Sequence, residues 1–236
     1  MHQKQDHRII MSLSTARCRF LALMLRASRP VMALSAIALP GIMFPGAAHA
    51  AAPVSVALNA ADQADLKRVE TYLDGIHTLQ GHFIQTNADG TVSEGKIYLS
   101  RPGRMRFEYD PPVHMVIVSN GDYVAVNDID MKHISYFPVE KTPVWFLLRE
   151  AIKLSGDVTV TGFDRGPDVF RITAVQSNDS KSGSITLVFS DWPLTLQKWI
   201  ILDAQGRTTS VALSNPQTGI ALDDELFRLP KAPSKS

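Results

Sequence analysis

Apolar and polar positions alternate with a period of two along most of this chain, and follow a helical period in one early stretch. That stretch is NAADQADLKRVETYLDGIHTL, residues 59 to 79, where Leu66, Val69, Leu73 and Ile76 recur at steps of three, four and three. Side chains so spaced share one face, so the pattern predicts an amphipathic helix with Asn59 or Asp62 as N-cap and Gly75 near its end. Beyond it, HFIQT, GKIYLS, RMRFEY, HMVIVS, DYVAVND and HISYF are short runs rich in Val, Ile, Phe and Tyr. The turn signals NADG, RPG, DPP and NGD separate them, which predicts a meander of antiparallel strands.

The rhythm breaks at TPVWFLLREAIKLSG. Thr142 and Pro143 open a segment too apolar for an exposed strand. It reads as a short helix from Val144 to about Lys153, ending near Gly156, with Trp145, Leu148 and Ile152 on one side. Strands resume at DVTVTGF, DVFRITAV, SITLVFS, TLQKWIIL and TTSVALS. Leu226 to Leu229 reads as a last short strand before a frayed tail. About eleven strands and two helices result, with no repeat and no interdomain linker, hence one domain over residues 51–236. So long an antiparallel layer does not stay flat, and one face needs cover. The expected fold is mainly β, of α+β type: an open, incompletely closed antiparallel barrel whose concave side the helices plug. A concavity under a helical roof is where a ligand would bind.

Composition matters first at the N-terminus. Residues 1–50 carry Lys4, Arg8, Arg17, Arg19, Arg26 and Arg29 against Asp6, then the apolar run VMALSAIALPGIMF and the small residues Ala48 and Ala50. That order reads as a signal peptide cut after Ala50, and the run is too short for a membrane-spanning helix. The chain holds 24 Lys+Arg and 23 Asp+Glu; removing the leader leaves 18 and 22, a net charge of −4. A mildly acidic exported chain lacks the phosphate-neutralising charge that nucleic-acid binding needs. Cys18, the single cysteine, lies in the leader ahead of the apolar run, so the mature chain has no disulfide, thiolate nucleophile or lipid-bearing cysteine. The expected location is the periplasm, and the expected state a monomer.

Motifs of catalysis and of cofactor binding are absent: there is no G-x-S-x-G elbow, no H-E-x-x-H, no phosphate loop and no dinucleotide fingerprint. No cofactor is therefore expected, and the chain does not read as an enzyme. NDIDMKH gathers Asn127, Asp128, Asp130 and His133, but lacks the glycine and the later bidentate acid of a calcium loop. It reads as a solvated hairpin turn, with an unrecognised catalytic site there as the competing class of function. Asp223 and Asp224 read as a strand stop.

The succession GHFIQT, EGKIYLSRPGRMRFEYDPP and MVIVSNGDYVAVND resembles the signature of the periplasmic outer-membrane lipoprotein carrier (LolA) family. The resemblance rests on Phe83 and Gln85, on the strand Gly95 to Leu99, on the turn Arg101 and Pro102, and on Ser119 to Gly121. It continues through TPVWFLL, similar to the family's lid segment. It implies an incompletely closed barrel with a helical lid, whose cavity takes the acyl chains of lipoproteins. It also implies partners: acylated lipoproteins as cargo, an inner-membrane ABC transporter complex of the LolCDE type as donor, and the outer membrane or a receptor there as acceptor. A carrier or sensor of another lipid on the same fold is the alternative.

Strand parity sorts the candidate residues. In RMRFEY, Met105, Phe107 and Tyr109 share one face and Arg104, Arg106 and Glu108 the other, expected to meet solvent. Together with the resemblance this assigns Tyr98, Met105, Phe107, Tyr109, Met115 and Ile117 to the cavity wall. Met105 and Met115 suit either a wall that repacks or an ordinary core. Trp145, Phe146, Leu147 and Leu148 form the expected lid wedge. Arg101 lies outside the alternation; by itself it fits an exposed turn arginine, whereas the resemblance implies a latch that hydrogen-bonds the lid through its fixed charge and five donors.

Overall fold

The computed structural model describes residues 53–142 and 145–231; the leader expected over residues 1–50, and the expected helix start at Pro143 and Val144, lie outside the described residues. Helix α1 spans Ala60–Asp74 and opens on a capping box. The Asn59 side chain accepts the Asp62 amide at 2.9 Å, and the Asp62 carboxylate accepts the Asn59 amide at 3.2 Å. Two N–H groups with no partner inside the helix are thereby satisfied. Gly75 ends it, donating to the Thr71 carbonyl.

Eleven strands follow: β1 Thr78–Thr86, β2 Val92–Ser100, β3 Arg104–Tyr109, β4 Met115–Asn120, β5 Tyr123–Asp128, β6 His133–Pro138, β7 Val158–Gly166, β8 Val169–Gln176, β9 Gly183–Ser190, β10 Thr195–Asp203 and β11 Thr208–Thr218. All pair antiparallel in one sheet of order β6-β5-β4-β3-β2-β1-β11-β10-β9-β8-β7. The first and last strands thus lie side by side in the middle, with Phe83 opposite Leu213. The sheet does not close, and its edges are β6 and β7. Because these two strands are consecutive, residues 139–157 between them cross from one edge to the other.

The sheet curls strongly. Phe107 on β3 and Trp199 on β10 lie four strands apart, which at about 4.8 Å per step would separate them by roughly 19 Å in a flat layer. Their rings instead meet edge to face at 6.3 Å. The inner face so formed carries Phe83, Ile97, Phe107, Ile172, Leu187 and Phe189, all buried, and α1 covers it with Val69 and Leu73, joined by Ile76 just beyond the helix. Gly95 lies where β2 approaches β3 closely: a Cβ there would meet the Glu108 carbonyl oxygen at 2.1 Å.

The expected helix over residues 144–153 is not formed; Trp145–Leu148 make a single 3-10 turn and an irregular stretch follows. Its backbone groups are taken by outside partners. In an α-helix the Leu148 carbonyl would accept the Ile152 amide. Here that carbonyl accepts the Gly103 amide at 2.7 Å, and the Ile152 amide donates to Asp74 Oδ1 at 2.7 Å. The Leu154 amide likewise goes to Glu70 Oε1 at 2.7 Å.

The expected last strand at Leu226 to Leu229 is also replaced, by a 3-10 turn over Asp224–Phe227. Asp223 starts it by accepting the Glu225 amide at 2.9 Å. This turn packs on the outer face of β3 and β4, burying Phe227. Arg104 and Arg106, expected to face solvent, lie beneath it. Arg104 pairs with Asp224 at 2.5 Å with its guanidinium over the Phe227 ring, and Arg106 donates to the Leu226 carbonyl at 3.3 Å. The outer face here is a second small core, which also accounts for the burial of Val118 and Ala125.

Candidate functional site

Parity along β2 to β4 decides what faces inward. Phe107 pairs with Ile97 on one side and Ile117 on the other, and Met105 pairs with Leu99. Paired residues share a face, so these side chains line one wall. Between that wall, α1 and residues 147–152 remains an apolar cavity of about 70 Å3, bounded by Met105, Phe107, Leu99, Leu147, Leu148 and Trp199 among others. Leu148 and Ile152 border it and are buried, so the segment crossing the open edge puts apolar side chains against the inner face.

The other expected wall residues are placed differently. Tyr109 and Ile117 are buried on the same face but outside the boundary of this cavity, and Met115 packs against the core half-buried. The Tyr109 hydroxyl donates to Gln85 Oε1 at 2.8 Å, and burial raises its pKa far above the usual phenol value. Tyr98 does not face the cavity. It pairs with Arg106 and therefore projects from the outer face, one residue out of step with Ile97 and Leu99. Phe146 is buried but outside the boundary of this cavity, and half-buried Trp145 lies edge to face with it at 6.3 Å, beneath the Arg149 guanidinium.

Arg101 sits where α1, the β2–β3 turn and the crossing segment meet. It is buried, and its guanidinium is spent on carbonyls: Nε donates to Ile76 at 2.7 Å, Nη1 to Arg149 at 3.2 Å, and Nη2 to Asp74 at 3.1 Å and to Leu73. A fixed cation at the C-terminal end of a helix satisfies carbonyls left without partners and opposes the helix dipole. Burial lowers the Arg101 pKa, and the Asp74 charge works against that shift. The adjacent turn is rigid: Ser119 Oγ donates to the Gly103 carbonyl at 2.6 Å, and a Cβ on Gly103 would lie 2.5 Å from Gly121 Cα.

Glu70 and Asp74, which hold the crossing segment, were not singled out from the sequence. Their spacing of four residues puts both acids on one side of α1, and that spacing was the available signal. In NDIDMKH, Asp128 accepts the Met131 amide at 2.8 Å, Asp130 meets His114 at 2.8 Å and His133 meets Ser135 at 3.0 Å. These are turn and cross-turn contacts. Among the described residues, no three His, Cys, Asp or Glu side chains converge as a metal site would require. No helix among them is long and apolar enough to cross a membrane.

The family model "Outer membrane lipoprotein carrier protein LolA" matches residues 74–230. An outer-membrane lipoprotein carrier protein of Methylococcus capsulatus is 28% identical over 170 residues, covering 68% of this chain and 81% of that protein. One from Azotobacter vinelandii is 26% identical over 176 residues, covering 71% and 84%. Among solved structures, a LolA superfamily protein of Nitrosomonas europaea is similar with a TM-score of 0.41 and 11% identity, covering 70% of this chain and 97% of that one.

Proposed function

Because the chain belongs to the outer membrane lipoprotein carrier (LolA) family, we propose that it is a monomeric periplasmic carrier, not a catalyst, which shields lipoprotein acyl chains between the inner and outer membranes. In this reading residues 1–50 are the export signal, removed after Ala50. A transporter complex of the LolCDE type loads the carrier, and the outer membrane or a receptor there unloads it. The observation that carries the reading is the apolar cavity occupied by its own lid residues, Leu147, Leu148 and Ile152, and locked by Arg101.

The energetics favour such a design. An acyl chain of about 16 carbons gains roughly 13 kcal/mol on burial, at about 0.8 kcal/mol per methylene. A rigid empty pocket capturing all of it would not release its cargo. A lid whose side chains already occupy the space subtracts their displacement, which leaves a reversible affinity. The bond from Arg101 to the Arg149 carbonyl adds to the closed state only, since it is lost when the lid lifts.

Native mass spectrometry after incubation with a triacylated lipopeptide tests the reading. A one-to-one complex is expected, and Arg101→Leu is expected to bind the lipopeptide yet transfer it poorly to acceptor vesicles. Retention of free lipid or glycolipid with no lipopeptide complex would overturn it in favour of another cargo. Loss of function on replacing Asp128, Asp130 and His133 by alanine, with Arg101→Leu still competent, would overturn it in favour of an enzyme.

A further inference from the structure

The lid divides the interior into two unlike spaces. Beside the cavity at Arg101, an opening of about 360 Å3 lies where the start of the lid faces the β8–β9 hairpin. Phe146 borders this opening, whereas Leu147 and Leu148 border the Arg101 cavity. The floor is apolar: Val158, Ala174 and Ile185 are buried residues of the inner face. The rim is polar and includes Gln176, Asn178, Ser182 and Ser184.

The lid is tied down unevenly. Among the described residues, its hydrogen bonds to the body of the protein fall on Val139 at one end and on Leu148, Arg149, Ile152, Leu154, Gly156 and Asp157 at the other. Between them, the Thr142 and Trp145 amides donate only within the segment, to Val139 and Thr142. Among the described residues, the part of the lid over the larger opening makes no hydrogen bond to the body of the protein.

We propose that this opening binds the glyceryl ester head of the acylated cargo, with the chains running past Phe146 onto the inner face. This deepens the carrier reading and rests on it. The chemistry of the rim selects the ligand. The amides of Gln176 and Asn178 have no hydrogen-bond partner among the described residues, and they suit ester and amide carbonyls. The charges are mixed: Lys141 and Asp179 both border the opening, and the Asp203 carboxylate is engaged by Arg207 at 2.8 Å. Such a rim offers hydrogen bonds to a neutral head and no cluster of cations to a phosphate.

The test uses the full chain with a photoreactive phenylalanine analogue at Gln176, Asn178 or, on the tied part of the lid, Glu150. Two probes are offered separately: a synthetic tripalmitoyl cysteinyl lipopeptide and phosphatidylglycerol. All three positions are partly or fully exposed, so none of the replacements disturbs the core. The lipopeptide is expected to crosslink several-fold more at Gln176 and Asn178 than at Glu150. A lipopeptide that forms the complex by native mass spectrometry but crosslinks chiefly at Glu150 overturns this site and leaves the carrier reading standing. Crosslinking at Gln176 and Asn178 by phosphatidylglycerol alone overturns the assignment to lipoprotein. Failure of the lipopeptide to form any complex overturns site and carrier together.

Discussion

Gly103 donates its backbone N–H to the Leu148 carbonyl at 2.7 Å, next to the Arg149 carbonyl that Arg101 holds at 3.2 Å. One turn between two strands therefore grips two consecutive carbonyls of the lid, and the same arginine holds the end of α1. Arg101→Leu leaves four buried or half-buried carbonyls without this donor. A loss of about 2–3 kcal/mol in stability is expected from the missing charge-assisted bonds. Faster amide exchange at Ile152 and Leu154, relative to the β8 and β9 amides, would show that the lid rather than the sheet has loosened. Unchanged exchange there would refute the latch.

The turn itself should resist substitution. Gly103 has φ of 77° and no room for a methyl beside Gly121, whereas Gly90 has φ of 81° and open space around it. Gly103→Ala is expected to cost about 2–4 kcal/mol by clash and strain, and Gly90→Ala about 1 kcal/mol by strain alone. Urea denaturation of the two variants checks the order.

Most of this framework was legible because strands advertise themselves by alternation. All eleven were bounded in sequence by Gly, Pro, Asn and Asp, and the inward set Met105, Phe107 and Tyr109 follows from period two. The residues of the lid segment favour a helix, but partners distant in sequence take the bonds a helix would use. No local pattern announces that Gly103 will compete for the Leu148 carbonyl. The resemblance puts Tyr98 in the cavity wall, but parity does not: Gly95, Ile97 and Leu99 hold the inner face, and the intervening tyrosine points outward. The C-terminal turn escaped notice because the outer core it completes involves Val118 and Ala125, more than 90 residues earlier by their numbers.

That outer core should matter for stability alone. Phe227→Ala removes a buried ring that sits under Arg104, and about 3 kcal/mol of destabilisation is expected from the cavity it leaves. Lipopeptide binding by the folded fraction should be unaltered, because the ring is on the far side of the sheet from the lid. Thermal unfolding and native mass spectrometry on the same samples check both parts.

Tyr109 makes alkaline stability a reporter of the inner face. Below its ordinary pKa of 10.0 the phenol is protonated in the folded and unfolded chain alike, and contributes no slope. Above that value the unfolded chain loses a proton that the buried phenol keeps. The unfolded state then binds fewer protons, and stability falls as pH rises. Tyr109→Phe should flatten that part of the decline, at a cost of about 1 kcal/mol near neutrality for the lost bond to Gln85. Denaturation midpoints measured from about pH 9 to about pH 11 check the slope, taking the ordinary phenol value as the reference.

The pairing of β1 with β11 sets an order of assembly. Strands β1 to β6 and β7 to β11 are each a ladder of neighbours, built from contacts a few residues apart in the chain. The seam between them joins Phe83 to Leu213, and it closes only when the final strand has emerged. Closing so large a loop is slow compared with forming the hairpins on either side. A chain whose last strand is not yet in place therefore holds two half-sheets with an open seam, and acquires its interior in a single late step.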